Sequence, residues 1–197
     1  MRLFPMTTSF RSRILPLLLL SSLGFSIPGA EAQQPTAVAA QSIDPKWMQV
    51  DSAVKRVTWE LVAGLTPFNG ALNFNGFRDG ELTFVVPAGW SVVVNFLNQD
   101  GMLSHSAEVI LDNVPIPLRA VDPAIPRAYT RDLEAGIAYG GGKDVMRFTA
   151  SPPGAYRLFC AVPGHGAAGM WVRLKVDANV IAPAMALTPK PAVPAGR

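Results

Sequence analysis

The stretch YRLFCAVPGHGAAGMW, residues 156–171, decides how the rest of the chain reads. Residues 156–161 have the character of a short strand, and residues 170–176 of another. Between them Pro163, Gly164, Gly166 and Gly169 let the chain turn tightly without side-chain clashes. That loop holds Cys160, the single cysteine of 197 residues, His165, one of two histidines, and Met170. Taken singly, each has a plain explanation: a small buried hydrophobe, a surface imidazole, a core filler. Taken together at a C-x4-H-x4-M spacing, they ask for a common purpose.

A thiolate, two imidazoles and a weak thioether form the ligand set of a blue-copper site. The thiolate and imidazoles suit Cu(II), and the thiolate and Met suit Cu(I), so little has to move when an electron arrives. The remaining histidine, His105, falls at the start of a middle strand, 105–111. The expected metal ligands are therefore His105, Cys160, His165 and Met170, around one copper ion. Zinc fits less well, since it rarely takes Met. A catalytic Cys–His pair lacks any orienting Asn or Asp motif nearby. Met102 is a rival axial donor, three residues before His105. Ser106 is expected to bond across to the Cys160 loop, with Asn75 or Asn73 doing the same from a neighbouring strand. Phe96, Phe159 and Trp171 read as aromatics that keep the pocket dry. Pro163, Gly164, Gly166 and Ala167 surround the His165 edge with small or apolar surface, which suits brief docking of a redox partner.

Working outward, the chain alternates short apolar runs with Gly/Pro punctuation. Val57, Trp59 and Leu61 share one face of a strand; 72–77, 81–86, 91–98 and 144–149 supply others. The pattern indicates an all-β Greek-key sandwich or barrel. Residues 112–143 break the rhythm as a long excursion, within which 127–138 is a candidate short helix. No internal repeat is present.

The ends read differently. Arg2, Arg11 and Arg13 precede an apolar run at 14–27 and a small-x-small triplet at 30–32, which predicts a secretory signal over 1–32 and a mature start near Gln33. About 14 apolar residues are short for a membrane span, which needs roughly 20. Without that segment the chain loses three Arg and one Glu, so its formal charge falls from +3 to +1. No basic run is left for nucleic acid, and Gly140-Gly141-Gly142 lacks the Lys-Ser/Thr of a phosphate loop. A lone cysteine in an exported chain cannot pair internally, so it is best buried or ligated. Residues 33–54 form a lead-in, with Asp44-Pro45 starting one helical turn. The domain is expected over 55–177, followed by a flexible Ala/Pro-rich tail over 178–197.

The words LNFNGF (72–77), VPAGW (86–90), LSHS (103–106) and FCAVPGHGAAGMW (159–171) resemble the cupredoxin family, sulfocyanin most and rusticyanin second. The resemblance covers roughly 55–177. It implies a type 1 copper β-sandwich that passes single electrons between respiratory proteins such as a cytochrome and a terminal oxidase, with no small-molecule substrate. It also implies that His105, Cys160 and His165 are equatorial ligands and Met170 the axial one. Sulfocyanins are best known as membrane-attached archaeal proteins. The export signal here implies a periplasmic place, or the outer face of the cytoplasmic membrane if the N-terminus stays uncleaved. The alternative from another class is a copper chaperone or store, whose site would be exposed and rich in Met or His. A copper enzyme would need further His donors, and a binuclear centre a second Cys.

Overall fold

The computed structural model describes residues 42–112 and 115–188. The expected signal segment, the first part of the lead-in and the last nine residues lie outside them. No helix among the described residues is long and apolar enough to cross a membrane.

Strand formation follows the alternation of apolar residues. In β2 (Arg56–Ala63) and β4 (Ser91–Asn98), Val57, Trp59 and Leu61, and Val92, Val94 and Phe96, all point inward and are buried. Two mixed sheets result. The first runs β1 (Met48–Asp51), β2, β4, β6 (Gly142–Thr149). The second runs β5 (Glu108–Leu111), β7 (Gly154–Phe159), β8 (Trp171–Asp177), β3 (Leu82–Pro87), β9 (Ala184–Leu187). Strands β2 and β4 pair in parallel, as do β3 and β8; the other pairs are antiparallel. The inner faces share one core, in which the Trp59 and Phe84 rings stack 4.7 Å apart. Each fully buried Val, Leu or Phe contributes about 1.5–3 kcal/mol.

Several expectations need correction. Residues 72–77 are not a strand. Phe74 and Phe77 bond each other in both directions, at 2.9 and 2.8 Å, around Asn75-Gly76. Both central residues have positive φ, 53° and 82°, the turn that Asn-Gly favours. The Asn-Gly signal was real, but the hairpin is only one turn long.

Residues 127–138 form no helix. Their backbone instead bonds the extended chain just before β5, the strand expected over 105–111 being confined to Glu108–Leu111: Thr130 N–H to the Ala107 carbonyl at 2.9 Å, and Ile137 N–H to the His105 carbonyl at 2.7 Å. Burial of Ile125, Ala128, Thr130 and Ile137 fixes that course over any helical preference. Two strands lie outside the span 55–177. β1 lies inside the expected lead-in, after a 3₁₀ turn at Pro45–Trp47 capped by Asp44. β9 lies inside the expected flexible tail, and its Met185 packs on the core. Neither strand has the β-branched alternation that marks the others; pairing with an already formed strand makes them.

Candidate metal centre

The register of β5 on β7 builds the site. Glu108 lies opposite Phe159, so the chain just before β5 runs beside the chain just after β7. Ser106 thereby meets the cysteine loop: its N–H reaches Cys160 Sγ at 3.3 Å, and its Oγ accepts the Ala161 N–H at 3.0 Å. The loop then closes on itself. Cys160 N–H donates to the Met170 carbonyl at 3.0 Å, and Met170 N–H to the His165 carbonyl at 3.1 Å.

This brings three donor atoms together. His105 Nδ1 and His165 Nδ1 are 3.2 Å apart, and Cys160 Sγ lies 3.9 Å from the first and 3.6 Å from the second. A point equidistant from all three sits about 2.1 Å from each, the length of a metal–imidazole bond and close to that of a metal–thiolate bond. Two imidazole nitrogens and a sulfur fit one soft-to-borderline ion there. His105 and Cys160 are buried and His165 is half-buried. Met170 is fully buried, its backbone tied to both Cys160 and His165. Met102 is 81% exposed and takes no part in the cluster.

Burial pushes the Cys160 thiol up to about 11, against bonds from the Ser106 and Val162 N–H groups. A metal taking this sulfur therefore displaces a proton. Burial also pushes both histidines down, His105 against the pull of Asp100, and His165 with help from His105. Neutral rings present lone pairs.

Asp100 was missed in the sequence. Its Oδ2 lies 2.8 Å from His105 Nε2. Burial acts to raise its carboxyl, but bonds from His105, Met102 and Leu103 outweigh it and hold it below the usual range. A carboxylate only accepts, so His105 carries its proton on Nε2 and turns the Nδ1 lone pair to the cluster. The one available signal was the Asn-x-Asp-Gly turn just ahead of LSHS.

Two supporting residues also differ from expectation. Asn75 does not reach the cysteine loop; its amide bonds the Val62 N–H and the Glu60 carbonyl on β2. Asn73 bonds the Thr66 and Phe68 carbonyls. The amide that does reach is that of Asn69, donating to the Ala168 carbonyl at 3.0 Å, while Asp79 and Gly80 N–H groups hold the Gly169 and Trp171 carbonyls. Of the expected docking residues, Pro163 and Ala167 are exposed and Gly164 is half-buried, but Gly166 is buried. A Cβ there would meet the Phe159 ring at 2.5 Å, so its role is packing. Phe96 lies in the main core. Phe159 packs in a small cluster with Ile110 and Ala161, against which Trp171 is partly buried.

A two-sheet β-sandwich with a Cys/His/His cluster at the end of one sheet is a cupredoxin, the class whose cofactor is one type 1 copper ion. Residues 45–187 match the family model of the sulfocyanin (SoxE) domain, and the chain belongs to that family. Sulfocyanin of Sulfolobus acidocaldarius is 33% identical over 119 residues, covering 56% of this chain and 58% of its own length. Among solved structures, one of rusticyanin is 23% identical with a TM-score of 0.50, covering 66% of this chain and 86% of that one. Rusticyanin from Thiobacillus ferrooxidans is 24% identical with a TM-score of 0.46, covering 66% and 86%. The rusticyanin likeness is one of fold.

Proposed function

We propose that the chain is an exported mononuclear electron carrier in which His105, Cys160 and His165 hold one copper ion and Met170 is its weak axial donor. Copper bound there supplies a one-electron Cu(II)/Cu(I) couple. The residues do the rest. Ser106 N–H directed at Cys160 Sγ offsets part of the thiolate charge. Buried Met170 and the dry surroundings favour the reduced state. His165, half-buried among Pro163, Gly164 and Ala167, is the edge where an electron enters or leaves. Leu118, 69% exposed, joins this surface, because its carbonyl accepts the Gly164 N–H at 2.7 Å. A small uncharged face of this kind suits short-lived docking of a cytochrome or terminal oxidase, with outer-sphere transfer and no substrate transformed.

The observation that carries the reading is the triangle of three donor atoms with its centre at bonding distance. Burial of Cys160 and His105 disfavours the chaperone alternative, whose ion must exchange rapidly. The test is the visible spectrum of the copper-loaded protein. A carrier gives an intense thiolate-to-copper absorption; a nearly colourless protein that exchanges its metal quickly would overturn the reading.

A further inference from the structure

We propose that Asp100 is a positioning residue of the metal centre, which locks the tautomer of His105 and shifts the site toward the oxidised state. The proposal rests on His105 being a ligand, as argued above. Asp100 is only 6% exposed, and every part of it is engaged. Its N–H donates to Asn98 Oδ1 at 3.1 Å. Its Oδ1 accepts the Met102 N–H at 2.8 Å and the Leu103 N–H at 3.2 Å. That leaves Oδ2 for His105 Nε2. Asn98, itself buried, is held through its Nδ2 by the carbonyls of Leu103 and Ile137. Ile137 in turn bonds both backbone groups of His105. Gly64, at φ +66°, presses on the other side; a Cβ there would come within 2.7 Å of Asp100 Cβ. The carboxylate therefore has one place to be, and the His105 ring cannot turn without losing a charge-assisted bond.

The effect on the centre follows from charge. A carboxylate on the Nε2–H makes the imidazole a stronger donor. A stronger donor stabilises the more highly charged Cu(II) more than Cu(I). Asp100 thus acts against buried Met170 and the dry pocket, which favour Cu(I). A neutral partner at this position would leave those two influences unopposed.

Asp100→Asn in the full copper-loaded chain is the test. The ratio of Cu(II) to Cu(I) affinity is expected to fall about tenfold, which for a one-electron couple raises the potential by about 59 mV. Release of Cu(II) to a chelator is expected to quicken by a similar factor. Nitrogen NMR of the unmodified, metal-free chain gives a second readout, which needs no variant: His105 is expected to carry its proton on Nε2. Equal potentials with blue absorption kept in both proteins would overturn the role of Asp100 alone, as would a proton found on Nδ1. An unmodified chain with no thiolate absorption would overturn the ligand assignment, and the proposal with it.

Discussion

Cys160 meets three demands at once. It follows directly on the last residue of β7, it accepts a bond from the Ser106 N–H, and it faces two imidazole nitrogens. Replacing it by serine keeps the size but removes the soft donor, so Cys160→Ser is expected to abolish the visible absorption of the copper-loaded chain. Met170→Gln is expected to keep that absorption and lower the potential, read by spectroelectrochemistry; an unchanged potential would count against an axial Met170. The candidate ligands were legible because Cys, His and Met are scarce and fell on one loop at a fixed spacing. Asp100 was not, because an acid five residues ahead of a histidine has no periodic signature. Asn75 was misplaced because the sequence gives its type but not its direction. Its positive φ and two bonds to β2 serve the turn, not the loop.

Among the elements, the segment over β5 carries the clearest pH dependence. Glu108 is fully buried in β5, with one oxygen unpartnered and the other accepting only a long bond, at 3.5 Å, from the Val121 N–H. Burial, with a smaller push from Asp122 and against that N–H bond, raises its carboxyl from 4.5 to about 7. The folded state thus prefers the protonated acid more than the unfolded chain does. Its stability contribution is full below about 4.5 and is lost as the pH rises toward about 7. His105 and His165, held below the free value by burial, act in the opposite direction, so the reading is a difference: from pH 5 to pH 8 the urea midpoint of Glu108→Gln is expected to rise relative to that of the parent chain. A variant as sensitive as the parent would place the titration elsewhere. Strands with strict alternation were readable because one face of each is buried. The stretch 127–138 was not, because its course is set by the free edge of a neighbour and not by its own periodicity.

For the whole molecule, the core and the metal centre share residues. Phe96 is buried in the main cluster, and its replacement by alanine is expected to cost about 3–5 kcal/mol, measured by denaturant unfolding. An ion that binds only the folded state adds stability by mass action. Copper loading is therefore expected to raise the melting temperature of the parent chain but not of Cys160→Ser. The sandwich as a class was readable from strand count and turn spacing. Its outermost strands were not, because β1 and β9 are made by pairing, and a composition poor in β-branched residues hides them.

Strand β3 has both its neighbours, β8 and β9, in the last quarter of the chain. During synthesis it must therefore wait with both edges bare until β8 and β9 have been made. The cysteine, too, has no finished cage before then. Closure of the second sheet therefore waits on contacts far apart in sequence, which makes it a slow step of folding.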